Sequence, residues 1–254
     1  MEQCWKQLKI GDRWISIGGI SETGVKKKEN QDAFRIGVDC KKQIAYIIVA
    51  DGLGSCMYSS QGANKIADII EMWIMNSLPE FDSLSDSIAE EMIGRVIFEW
   101  KASYDSSYIR EYDTTFHVAL LYKGSLLIGG IGDGMALVSY DKFPCKDYIS
   151  THKGFSNITE SICSVGSMEE VSHEIITSDS IKNRAIVIIS TDGISDDLIP
   201  EKMNTLPAYF MEAIRANGIA SFHLELEDWI SDWQTENHSD DKTLCYLMIE
   251  METV

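Results

Sequence analysis

Five short stretches place aspartate where a strand-like run begins or ends. In "IIVADGLGS" the apolar run Ile47–Ala50 delivers Asp51 to a turn opened by Gly52 and Gly54. "IVIISTDGIS" repeats the design with Asp192 and Gly193, and "LLIGGIGDG" sets Asp133 between Gly132 and Gly134. "ENQDAFRIG" puts Asp32 just ahead of a strand, and "HSDDKTLCYLMIE" does the same with Asp240 and Asp241. A single aspartate at such a place is usually a turn former, because its side chain bonds nearby backbone. A recurring set asks for more. Carboxylates that converge on one sheet rim repel strongly in a low dielectric, and they persist together when protons or cations neutralise them. No histidine or cysteine lies directly beside any of these acids, so the donors at them are oxygens, which suit hard ions such as Mg²⁺ and Mn²⁺. A glycine after the acid lets the backbone approach an ion. Two ions sharing a carboxylate can orient a water, lower its pKa and present it to a phosphoryl group.

The elements that must position these acids are legible as periodic runs. Strands are expected at 14–20, 33–38, 43–50, 115–122, 125–131, 135–140, 185–191 and 243–250. Apolar residues at helical spacing predict helices at 60–77, 85–104, 205–217 and 219–233. Strands in groups and helices in pairs point to an α+β fold. Residues 141–180 carry few periodic signals, and an irregular stretch of that length is more often functional than not.

Composition bounds the class. The 254 residues suffice for one large domain, and 44% hydrophobic content is that of an ordinary globular chain. The formal charge of −18 argues against nucleic acid and anionic membrane as partners. No apolar run reaches the roughly 18 residues of a membrane span. The charged start "MEQCWKQLKIGDRW" lacks the apolar core of an export signal. Six scattered cysteines with no CxxC pair fit free thiols, so a reducing, cytoplasmic location is expected. Most methionines and tryptophans are expected in the core, as is His117 on its strand, while His238 could lie near the acids.

Taken in order, "KKKENQD", "VADGLGS", "YDTTFHVAL", "IGDG", "STDGISDD" and "SDDKT" resemble the signature of the metal-dependent Ser/Thr protein phosphatases, the PPM or type-2C class. The resemblance runs from about residue 20 to 250. It implies a single domain over 1–254, built as a four-layer αββα sandwich of two antiparallel sheets flanked by helix pairs, with a flap at about 141–180. It implies that Asp51 bridges two Mg²⁺ or Mn²⁺ ions, that the Gly52 carbonyl binds one, and that Asp192 and Asp240 bind the other. Asp133, with Asp192, would help hold a third, weaker ion. Asp32 would contact the attacking water, and Asp196 and Asp241 would support the ligands from behind. The implied reaction is hydrolysis of phosphoserine and phosphothreonine on proteins, and the implied partners are phosphoproteins, among them a Ser/Thr kinase or its targets.

The chain departs from the family pattern at several points. Lys27 stands where the family's phosphate-holding arginine is usual, keeping the charge but losing the bidentate fork. Lys26 and Lys28 beside it read as solvated loop. Ser55 replaces a glycine, Gly134 a serine, and Asp113 the small residue ahead of Thr114-Thr115. A phosphoprotein-binding module with weak or no turnover, and a divalent-cation phosphohydrolase acting on small molecules, are the competing readings.

Overall fold

The computed structural model describes residues 1–141, 143–148, 160–166, 171–233 and 239–252. The expected strands and helices form within a residue or two of their anticipated bounds. They are β2 (Arg13–Glu22), β3 (Asp32–Asp39), β4 (Ile44–Asp51), α1 (Ser59–Asn76), α2 (Asp86–Ala102), β5 (Phe116–Tyr122), β6 (Ser125–Ile131), β7 (Met135–Tyr140), β10 (Arg184–Ser190), α5 (Leu206–Asn217), α6 (Ile219–Ser231) and β11 (Lys242–Met251). Short helices α3 (Asp192–Ser195) and α4 (Pro200–Met203) follow β10.

Three strands went unanticipated. β1 (Glu2–Ile10) makes a hairpin with β2 across the two-residue turn Gly11-Asp12. It is an edge strand exposed along nearly its whole length, so it shows no apolar alternation. β8 (Lys146–Asp147) and β9 (Ser172–Ile176) are brief edge strands inside the irregular 141–180 stretch.

All pairings are antiparallel. One sheet runs β1-β2-β11-β10-β7-β8 and the other β3-β4-β5-β6-β9. The sheets pack face to face through Ile15, Ile17, Phe34, Ile47, Val49, Val187, Ile189 and Leu247. Helices α1 and α2 cover the outside of the β3–β9 sheet through Ile66, Ile70, Ile93 and Trp100. Helices α5 and α6 cover the outside of the other through Phe210, Ile214, Phe222 and Leu226. The result is the α+β, αββα layering expected. The central strands are buried on both faces, so they read as unbroken apolar runs.

Strand parity then places the polar ends. Ala45, Ile47 and Val49 face the space between the sheets, so Asp51 continues that face at the strand end. Phe34 and Ile36 put Asp32 on the same inner face. Val187 and Ile189 do so for Thr191, and Cys245 and Leu247 for Thr243 and Asp241. Because the strands alternate in direction, the start of β3, β5 and β11 and the end of β2, β4 and β10 share one rim of the sandwich.

Candidate metal centre

Asp32 and Asp51 are direct cross-strand partners at that rim. The opposite sheet reaches them through Thr191, whose hydroxyl donates to Asp32 Oδ2 at 2.9 Å. Thr243 also hydrogen-bonds Asp32, and its backbone N–H donates to Thr191 Oγ1 at 3.1 Å. Asp32 is 7% exposed. Burial is the largest influence on its carboxyl and outweighs the stabilising hydroxyls, so its pKa is pushed up to about 7.

Asp51 keeps some solvent contact although most of its surroundings are protein. Desolvation raises its pKa well above the usual carboxylate range, and the charges of Asp32, Asp192 and Asp240 add to the rise. Its main-chain carbonyl is fixed by Thr115 N at 2.8 Å and by the Thr114 hydroxyl at 2.7 Å. Gly52 N donates to the Gln31 carbonyl at 3.1 Å, tying the turn to the loop ahead of β3.

Asp192 opens α3. Its pKa is raised by desolvation first and by the Asp133 charge second. Its Oδ1 is buried and has no hydrogen-bond partner, an expensive state for a carboxylate oxygen. Gly193 beside it suits glycine, because a Cβ there would collide with the Asp241 carbonyl oxygen unless α3 shifts. Asp196 lies one helical turn on, its N–H bonded to the Asp192 carbonyl at 2.9 Å and its side chain exposed. Asp133 sits in the turn between β6 and β7, where Gly134 adopts φ +107°.

Lys27 takes up an unanticipated position. Its ammonium bridges Asp240 and Asp241, lying 3.0 Å from Asp241 Oδ2. Desolvation works against its charge, but the hydrogen bonds it donates to both carboxylates win, and its pKa is raised. In this structure the ammonium thus lies on two of the site's own acids. Asp241 is 1% exposed and also accepts Gly24 N and Gln31 N, each at 2.8 Å, so it clamps the 24–31 loop onto β11. Lys26 and Lys28 are exposed, as expected.

Sequence reading missed several contributors. His117 is buried on β5, and its Nε2–H donates to the Asp133 carbonyl at 2.9 Å. Burial lowers its pKa, so the imidazole is neutral and props the Asp133 turn. Lys242 is 4% exposed and donates to the Asp240 carbonyl at 3.1 Å. Thr191 and Thr243 were unmarked as well, and strand parity was the signal that would have found them. His238 and most of the flap centre lie outside the described residues.

The arrangement suits a hard divalent cation in its donors: oxygen only, mutually repelling, with one orphaned oxygen on Asp192. Among the described residues, no three histidine, cysteine or acidic side chains close to coordination geometry. Lys27 on Asp240 gives one physical reason, since an ammonium satisfies the same carboxylate that an ion would.

No curated protein sequence matches the chain. Among solved structures, it is similar to RsbX in complex with magnesium at 14% identity and TM-score 0.60, covering 98% of this chain and 100% of that one. It is similar to the S. agalactiae serine/threonine phosphatase at 14% identity and TM-score 0.62, covering 92% and 98%. The catalytic domain of the serine/threonine protein phosphatase PstP, solved with 2 manganese ions, gives 11% identity and TM-score 0.62 over 94% and 99%. These likenesses establish the shared fold. The family model for protein phosphatase 2C matches residues 23–233, most of the chain, and the protein belongs to that family.

Proposed function

We propose that this protein hydrolyses phosphoserine and phosphothreonine on proteins, using Mg²⁺ or Mn²⁺ held at the aspartate rim. The observation that carries the reading is the convergence of Asp32, Asp51 and Asp192, from both sheets, with all three held above the usual carboxylate pKa range. Asp51, the Gly52 carbonyl, Asp192 and Asp240 are the residues that would hold two ions, and Asp133 would add a donor for a third. Divalent ions in such a site supply positive charge that polarises water and the phosphoryl oxygens. The chain's own residues do the rest. Asp32, paired across the strands with Asp51 and oriented by the Thr191 hydroxyl, is placed to accept a proton from an attacking water. Thr191 fixes which way its carboxylate faces. Asp241 holds the 24–31 loop, and His117 holds the Asp133 turn, so the acids are positioned by rigid elements.

The proposed partners are phosphoproteins, with a Ser/Thr kinase or its targets among them, and the proposed setting is cytoplasmic signalling. A structural neighbour comes from the bacterial stressosome, which supports a role among protein partners. The Lys27 bridge favours a second reading, a phosphoprotein-binding module with weak turnover, because a lysine already occupies one expected ligand. Hydrolysis of p-nitrophenyl phosphate and of a phosphothreonine peptide, with Mn²⁺ and with EDTA, decides between them. Mn²⁺-dependent turnover of both supports the phosphatase. Peptide binding without turnover supports the module.

A further inference from the structure

The two sheets have four edges among the described residues, β1 and β8 in one sheet and β3 and β9 in the other. Sheets protect an edge by keeping it short, by breaking it with a bulge or proline, or by covering it. β8 has two residues, β9 has five and is half-buried, and β3 is mostly buried. β1 uses none of these devices. Its nine residues contain no proline or glycine, and they pair with β2 one for one from Glu2 with Ser21 to Ile10 with Arg13, so no bulge interrupts the strand. Residues Glu2–Lys9 are all exposed, Trp5 by 43% and Leu8 by 40%. Helix α6 meets a face of the strand, where Gln3 Nε2 donates to Glu227 Oε2 at 2.7 Å, and leaves the edge open.

The hairpin geometry decides which backbone groups face that edge. A two-residue turn is flanked by a hydrogen-bonded pair, here Ile10 and Arg13, and the bonded pairs then alternate along an antiparallel ladder. Leu8, Lys6, Cys4 and Glu2 therefore spend their N–H and C=O groups on β2, while Lys9, Gln7, Trp5 and Gln3 turn theirs outward. An antiparallel strand can take them up, and β1 is complementary to itself in one register. Centred on Cys4, that register sets Glu2 opposite a second copy's Lys6 twice, Gln3 opposite Trp5 twice, and Cys4 opposite Cys4. Centring on Lys6 would oppose two lysines, and centring on Trp5 or Gln7 makes no ion pair. Lys9, the other charge that could guard the edge, is held within the chain by Glu252 Oε2 at 2.6 Å. The chain carries −18 overall, whereas β1 carries Glu2 against Lys6 and Lys9, so two copies can meet here without the repulsion that acidic faces impose.

The geometry points to a symmetric dimer in which β1 pairs antiparallel with β1 of a second copy, centred on Cys4, and joins two six-stranded sheets into one. Trp5 then packs beside the second copy's Gln3, next to its α6, and leaves solvent. The Cys4 pair is a non-hydrogen-bonded one, with Cα atoms about 4.5 Å apart, inside the span of a disulfide. A contact of one strand is small, so the dimer is weak, with a Kd of about 10–100 µM. The inference is independent of the chemistry at the aspartate rim.

Sedimentation equilibrium of the full chain in reducing buffer, up to about 500 µM, should show monomer and dimer in exchange. Lys6→Glu and Glu2→Lys each set like charges opposite one another at two places, and each should weaken the dimer about tenfold or more. The double variant Glu2→Lys/Lys6→Glu restores opposite charges and should return the Kd to within about threefold of wild type. Thermal unfolding checks that each variant folds; should one single variant fail, the other and the double variant still decide. Diamide, which takes one hydrogen from each of two thiols, should link the dimer through Cys4 and not through Cys40, which is also exposed. Cys4→Ser should lose the link and keep the non-covalent dimer. A wild type that stays monomeric at about 500 µM overturns the proposal. A dimer that both charge reversals leave unchanged, or that diamide links through Cys40, has its interface elsewhere and overturns it too.

Discussion

Replacing Lys27 by alanine removes the ammonium that bridges Asp240 and Asp241. The magnitude follows from the two carboxylates' surroundings. Asp240 is 39% exposed, so solvent screens that arm and it contributes little. Asp241 is 1% exposed, and its Oδ2 lies 3.0 Å from the lysine nitrogen. Coulomb attraction at that distance is about 5 kcal/mol at an effective dielectric of about 20. The lysine regains hydration when the pair is broken, and Gly24 N and Gln31 N still serve Asp241, so the net cost sits at the low end of buried-pair losses, about 3 kcal/mol. For a chain of this size that corresponds to a fall in Tm of about 6–12 °C. The assay is thermal unfolding in EDTA, with Lys26→Ala and Lys28→Ala as exposed-charge controls expected to stay within about 0.5 kcal/mol of wild type. Mn²⁺ should then stabilise Lys27→Ala by more than it stabilises wild type, since the ion regains a carboxylate that the ammonium no longer holds. On peptide substrates Lys27→Ala should raise KM if the lysine also swings to the phosphate, and Lys27→Arg should restore binding through a bidentate contact. A Lys27→Ala protein as stable in EDTA as Lys26→Ala would refute the reasoning, because the buried carboxylate would then need no cation.

The aspartates give further expectations. With Asp32 held at about 7, and Asp51 and Asp192 also raised, the folded metal-free chain binds protons more tightly than the unfolded one. That stability is full below the unfolded value of about 4 and is lost as pH rises through about 7, so in EDTA the Tm should be higher at pH 5.5 than at pH 8. Saturating Mn²⁺ should flatten or invert that trend, as ions replace protons; a metal-free Tm that rises toward pH 8 defeats this account. Asp192→Asn should cut Mn²⁺ affinity at least about tenfold by calorimetry and abolish most turnover, yet in EDTA it should be no less stable than wild type, because one charge leaves a repelling cluster. Gly193→Ala should cost about 2 kcal/mol in urea unfolding through its collision with the Asp241 carbonyl; a neutral result would show that α3 can shift away from β11.

Much of this protein was legible in its residues alone. Short unbroken runs rich in β-branched residues and closed by glycine, such as Ile44–Ala50, read as strands covered on both faces, and helical spacing at Ile66, Ile70 and Trp73 marked where a covering helix lies. The recurrence of an acid at strand ends marked Asp32, Asp51, Asp133, Asp192, Asp240 and Asp241, because local chemistry leaves a signature in adjacent residues. What adjacency cannot show is which groups from distant strands meet. Thr191 bonds Asp32 across 159 residues of sequence, and Lys27 bonds Asp241 across 214. Those contacts exist because two sheets twist together at one rim, and nothing in the local pattern of a threonine or a lysine announces it. The same holds for β1, an exposed edge strand whose pairing with β2 supplies the order that its own composition lacks. Local sequence thus set the elements and the kinds of donor, while the packing of the two sheets decided which carboxylates share protons, which two hold the lysine and which single oxygen was left without a partner.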